Sequence, residues 1–134
     1  MKDRLGLRSV CVDCQNPAQL ARFWAAALGW TVRPHGPEDL AWLAEHGLSP
    51  EEDPSLCVDP PDPSLPTLWF NRVPEPKVGK VRIHLDANVD AVSGIDDLVA
   101  LGARVVEANP GGEQWTVMAD PEGHEFCAFP LGGY

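Results

Sequence analysis

Positive charge is scarce in this chain. Ten Lys and Arg stand against 20 Asp and Glu, a formal net charge of −10 over 134 residues. Nucleic acids and anionic membrane surfaces are held by clustered Lys and Arg, so both partner classes are excluded. Long apolar runs are also missing. No stretch reaches the roughly 18 residues of a membrane-spanning helix. The opening Met1-Lys2-Asp3-Arg4 lacks the apolar core of a signal peptide, which makes the cytoplasm the expected compartment. Cysteines are few: Cys11, Cys14, Cys57 and Cys127. A chain of this length buries a core without staples, and no disulfide is expected. Cys11 and Cys14 have the Cys-x-x-Cys spacing but no second pair to complete a zinc site. An offset of three along a strand sends their thiols to opposite faces, as ordinary buried or half-buried side chains. The length fits one domain, residues 1–134.

What the chain does have is a near repetition. Ser9-Val10-Cys11-Val12-Asp13 leads into a helical stretch closed by Leu28-Gly29, and His84-Leu85-Asp86-Ala87-Asn88 leads into one closed by Leu101-Gly102. Ser9 and His84 are offset by 75 residues, Leu28 and Leu101 by 73. Two copies this long make no solenoid array. They read as a duplicated half-domain, two modules facing one shared cleft.

Residues 7–13 alternate as a strand. Asn16 caps a helix with Pro17 at its first position and Gln19 as a capping-box partner. Leu20, Phe23, Trp24, Ala27 and Leu28 form its apolar stripe, and Gly29 ends it. Residues 30–33 begin a second strand. Residues 37–47 read as a short helix with acids in the first turn. Strands follow at 55–58 and 67–72, separated by a proline-rich loop. The stiff segment 73–80 links the halves. In the second half, 81–87 alternates as a strand, with Arg82, His84 and Asp86 on one face and Val81, Ile83 and Leu85 toward the helix. Val92, Ile95, Leu98 and Val99 give the helical stripe. Strands follow at 103–107, 114–119 and 125–129, with Asp120-Pro121-Glu122-Gly123 as a turn. Each half is β-α-β-β-β: module one spans 5–72, module two 81–130. The expected class is α+β, two tandem βαβββ modules curling a mixed sheet around the cleft.

These paired modules resemble the vicinal oxygen chelate superfamily, the fold group of glyoxalases, bleomycin-resistance proteins and dioxygenases. The resemblance rests on Phe23-Trp24 before Leu28-Gly29-Trp30, on Val73-Pro74-Glu75-Pro76-Lys77, on Arg82-x-His84-Leu85-Asp86, and on the ending Met118 to Cys127. It covers the chain except residues 37–54, which look inserted. In metal-dependent relatives, two positions in each half hold a divalent ion. Carried over, they fall on Ser9, Asn71, His84 and Cys127. Only His84 is a usual ligand type there, so no resident metal is expected. A degenerate site of His84 and Glu125 with Asp86 or Cys127 is the alternative, and would take a divalent metal weakly.

The candidate catalytic residues are His84 and Glu125: His84 as base or ligand anchor, Glu125 as a base with a raised pKa or as the ion-pair partner of Arg82. The candidate substrate-binding residues are Trp69, Asn71, Arg82, Asp86, Trp115 and Cys127. Trp69 and Trp115, placed on strands, offer aromatic walls. His124 follows the turn glycine and is expected to face solvent. Trp42 either caps the cleft or anchors the insertion. The function expected is that of a glyoxalase-like small-molecule protein. It is either a metal-independent or weakly metal-binding enzyme acting on a small organic substrate, or a non-catalytic binding and sequestering protein. Glyoxalase activity itself is not expected, because the metal constellation is incomplete. The expected partners are a small-molecule ligand and, by resemblance, a second copy in a homodimer.

Overall fold

The computed structural model describes residues 6–131. Met1–Arg4, and Leu5 where module one was expected to begin, lie outside the described residues. The chain divides into two units between Pro74 and Glu75.

The first unit runs β1 (Ser9–Cys14), α1 (Pro17–Leu28), β2 (Thr31–Val32), α2 (Pro37–Glu45), β3 (Ser55–Asp59) and β4 (Thr67–Arg72). Its four strands form one sheet in the order β1-β4-β3-β2. The β1–β4 pair is parallel and the others antiparallel. α1 starts where Asn16 Oδ1 accepts the Gln19 N–H at 3.2 Å. Gln19 answers in turn, its Oε1 accepting from Asn16 Nδ2 at 3.4 Å. Gly29 closes the helix at φ 69°, a left-handed turn that residues with a Cβ resist. α1 buries Leu20, Phe23 and Trp24 against Leu56, Val58, Leu68 and Phe70, the inward side chains of β3 and β4. Each fully buried side chain of this size contributes roughly 1.5–3 kcal/mol. Cys14 is buried and Cys11 exposed, the opposite facing expected of an offset of three.

The second unit runs β5 (Asp86–Val89), α3 (Gly94–Leu101), β6 (Arg104–Ala108), β7 (Thr116–Ala119) and β8 (Glu125–Pro130). Its sheet has the order β5-β8-β7-β6, with β5–β8 parallel, the same plan as the first. The fold is therefore α+β with two tandem modules, and each sheet is open. Leu98, Met118, Phe126 and Ala128 form its core.

Three local expectations fail. The strand placed at 81–87 begins only at Asp86. Asp86 pairs with Cys127, so Glu125, the first residue of β8, stands level with His84. Residues before His84 have no ladder partner in this register, and Ile83 is 83% exposed instead of facing the helix. The helical stripe loses Val92, which is 94% exposed. Asp90 Oδ1 accepts the N–H groups of Val92 and Ser93 at 2.9 and 3.0 Å, and this turn delays the helix to Gly94. Trp115 lies just before β7, not on a strand.

Among the described residues, no helix is long and apolar enough to cross a membrane.

Candidate functional site

In the second unit the parallel register sets Asp86 beside Cys127 on one sheet face. His84, two residues before Asp86, brings its Nε2 to 3.2 Å from Asp86 Oδ1. One ligand atom from each of His84, Asp86 and Cys127 falls within 4.8 Å of the others. Three expected site residues thus meet. His84 and Asp86 are open to solvent, with side chains 45% and 57% exposed. The Cys127 thiol is half-buried. Burial pushes its pKa up, and the Asp86 charge adds to the rise. It is a protonated thiol at neutral pH, not a nucleophile in waiting.

Glu125 shares the Cys127 face of β8 but is already engaged. Its Oε1 lies 2.8 Å from Lys77 Nζ, and its Oε2 accepts the Val81 N–H at 3.0 Å. Burial pushes the carboxyl pKa up, but the Lys77 and backbone hydrogen bonds outweigh it and hold the group at about 2. The expected raised pKa is corrected. Its cation is Lys77, from the segment expected as a linker, and not Arg82, which is exposed. Trp115 stacks on Phe129, centroids 5.4 Å apart and planes 27° apart. Phe129 is two residues beyond Cys127, so this aromatic pair shares its face.

His124 does not face solvent as expected. Its Nδ1 sits 3.0 Å from Oδ2 of the fully buried Asp120. The same carboxylate accepts the backbone N–H groups of Glu122 and His124, which builds the turn.

In the first unit, Trp69 and Asn71 share the β4 face turned away from α1, with Cys57 and Ser55 opposite them on β3. Ser9 and Cys11 of β1 lie on that face too. The Asn71 side-chain carbonyl accepts the Ser55 hydroxyl at 2.7 Å. The Arg33 guanidinium lies 5.5 Å from the Trp69 ring centroid and grips Asp59 through two hydrogen bonds of 2.9 and 2.7 Å. Beside them is a cavity of about 120 Å³, lined in part by Trp69, Arg33, His35 and Asp53. His35 Nε2 stands 2.8 Å from Asp53 Oδ2. Trp42 stacks on His46 of the next turn, centroids 4.0 Å apart, and is 45% exposed.

Arg33, His35, Asp53 and Lys77 escaped the sequence reading. His35 and Asp53 bracket α2 and meet only through the fold. Lys77 lies in a proline-rich stretch that carries no strand or helix pattern.

Residues 9–129 match the family described as glyoxalase-like domain. No curated protein matches the sequence significantly. Among solved structures, the chain resembles a glyoxalase/bleomycin resistance protein/dioxygenase family enzyme from Burkholderia phytofirmans PsJN. The identity is 18% and the TM-score 0.60, over 92% of this chain and 97% of that one. It resembles the fosfomycin resistance protein FosX from Mesorhizobium loti at 11% identity and TM-score 0.64, over 95% and 92%. A mutant FosX from Listeria monocytogenes, complexed with Mn(II) and dihydroxypropylphosphonic acid, matches at 10% identity and TM-score 0.63, over 95% and 90%. At these identities the likeness shows the fold.

Proposed function

We propose a small-molecule function on the premise that the chain belongs to the glyoxalase-like domain family, within the vicinal oxygen chelate fold group. The reading is a weakly metal-binding enzyme that acts on a small organic substrate at the polar face of the second module. The observation that carries it is the cluster of His84, Asp86 and Cys127.

The donor set suits a divalent ion in kind. An imidazole nitrogen, a carboxylate oxygen and a sulfur are three protein ligands, which leaves a position for substrate or water. His84, Asp86 and Cys127 would hold the ion, and Glu125 would not, because Lys77 and Val81 occupy it. A bound ion would supply Lewis-acid polarisation of a substrate oxygen. Binding requires the Cys127 thiol to lose its proton against a raised pKa, so the affinity is low and rises with pH. The Mn(II) complex of a FosX variant supports a metal on this fold, with a fit here weaker than a full ligand set. Apart from any ion, Asp86 orients the His84 ring, so the imidazole can accept or return a proton on a substrate held at this face.

The test is calorimetric titration of chelator-free protein with Mn(II) and with Zn(II). One weak site per chain, lost in His84→Ala, is the expected result. No saturable heat with either ion removes the metal from this reading. Unchanged ligand binding or turnover in His84→Ala removes the site.

Non-catalytic binding is the second reading, and one observation favours it. Glu125 is held ionised by its partners and Cys127 is held protonated, so neither acts as a ready base or nucleophile. A ligand recovered from the purified protein and incubated with it separates the two readings by whether product forms. Homodimerisation and a cytoplasmic setting belong to this proposal as well. Sedimentation of the purified chain tests the first, and microscopy of a tagged chain the second.

A further inference from the structure

We propose that the first unit carries a ligand subsite of its own, for a small neutral molecule with a flat apolar body and a hydroxyl group. The inference is independent of the second-unit cluster, because every residue it uses lies between Arg33 and Trp69.

The cavity sets the size. At about 120 Å³ it is slightly below the roughly 150 Å³ of an engineered cavity known to take up benzene. A single ring partly open at the mouth is the upper limit. The walls set the shape. Trp69 and Pro34 present a flat aromatic and an apolar surface, which favour a planar ligand body.

The polar groups set the chemistry. Asp53 is fixed from two sides: Oδ1 accepts the Ser55 N–H at 2.9 Å and Oδ2 faces His35 Nε2 at 2.8 Å. A carboxylate beside Nε2 places the ring proton there. In that tautomer Nδ1, which Asp53 does not engage, is the ring's acceptor. Both side chains are mostly shielded, 20% and 14% exposed, and shielding strengthens a hydrogen bond made there. Both residues line the cavity, and in this tautomer Nδ1 is the acceptor the dyad can offer a ligand donor.

Charge removes the other ligand classes. Arg33 is matched by Asp59. Asp39, also in the lining, accepts the Gly36 N–H at 2.9 Å. An anion would meet Asp39 and Asp53 with the guanidinium already committed. A cation would meet that guanidinium lying over the Trp69 ring. A neutral hydroxyl meets His35 without either penalty. His35 is the binding residue and Asp53 the residue that positions it.

Phenol and toluene, which differ by a hydroxyl for a methyl, test this by NMR titration of the whole chain. The Trp69 indole resonance is assigned by its loss in Trp69→Phe. Phenol should shift Trp69 and the His35 ring saturably, and bind about tenfold more tightly than toluene, the scale of one net hydrogen bond. His35→Phe keeps a ring and removes the acceptor, so it should erase that preference. Asp53→Asn should weaken phenol several-fold and change the His35 ring ¹⁵N shifts, which report its tautomer. Should His35→Phe fail to fold, His35→Leu, which also lacks an acceptor, and Asp53→Asn carry the same comparison. Equal affinity for phenol and toluene overturns the proposal. So does a preference that survives loss of His35, or saturable shifts that spare Trp69 and His35.

Discussion

Lys77 Nζ stands 2.8 Å from Glu125 Oε1, and both side chains are mostly buried, at 19% and 18% exposed. The pair ties an irregular segment to the first residue of β8. Because Val81 also donates to Glu125, one carboxylate replaces the ladder that residues 77–83 lack. It is therefore a structural group, and its protonation is a stability question.

The sign follows from the depressed pKa. A carboxyl held at about 2 when folded, against an ordinary value of 4.5, binds fewer protons in the folded state than in the unfolded one. Its contribution is complete above pH 4.5 and is lost as the pH falls toward 2. Glu125→Gln should cost about 1–3 kcal/mol at pH 7, because Lys77 keeps the Gly79 carbonyl but loses its counter-charge. Urea denaturation at pH 7 and near pH 2.5 checks this. The gap between wild type and variant should shrink at the lower pH, and a gap independent of pH would refute the assignment.

Asp120 is the corresponding anchor of the turn before β8. One buried carboxylate satisfies the Glu122 N–H at 2.9 Å, the His124 N–H at 3.0 Å and the His124 ring. Asp120→Ala should destabilise by about 1–3 kcal/mol, because the half-buried N–H groups of Glu122 and His124 lose the acceptor they share. Asp120→Asn keeps one carbonyl acceptor and should lose less. Hydrogen exchange at Glu122 and His124 should rise in both variants, and most in the alanine form.

These two anchors differ in how far the sequence reveals them. Asp120-Pro121-Glu122-Gly123 is local turn chemistry, and the turn formed where it reads. The helix from Asn16 to Gly29 was legible for the same reason: cap, stripe and stop are all within one segment. Lys77–Glu125 spans 48 residues, and His35–Asp53 joins residues on either side of α2. Nothing in local periodicity brings such partners together. The strand expected at 81–87 failed for a related reason. Alternation reports a pleat, but a ladder needs a neighbour, and β8 begins only at Glu125. His84, Asp86 and Cys127 were legible as residues. The substitution by which Glu125 drops out and Asp86 and Cys127 both join His84 was not, because it depends on where Lys77 goes.

That substitution is itself testable. If Asp86 and not Glu125 completes the cluster, Asp86→Asn should weaken Zn(II) or Mn(II) binding by about tenfold or more. Losing a group that only hydrogen-bonds a metal ligand already costs about 10–100-fold, and losing a direct ligand costs no less. Glu125→Gln should leave the affinity within about twofold at pH 7, where the fold is intact. Calorimetry on both variants decides it, and a larger loss in Glu125→Gln would reverse the assignment.

Gly94 sets helix propensity against packing. It begins α3, and alanine is the better helix former by about 1 kcal/mol. A Cβ built on Gly94, however, would fall 2.6 Å from Val89 Cβ and 2.9 Å from its Cγ2, inside any real contact distance. Overpacking of this kind costs about 1–3 kcal/mol, so packing wins and Gly94→Ala should be destabilising. Val89→Ala removes the Cγ2 contact but keeps the closer Cβ. The double variant should therefore recover only part of the loss, measured as the coupling in a denaturation cycle. Full recovery would mean that the side-chain branch alone sets the limit. A stabilised Gly94→Ala would mean that α3 shifts freely on β5, and that propensity governs its start.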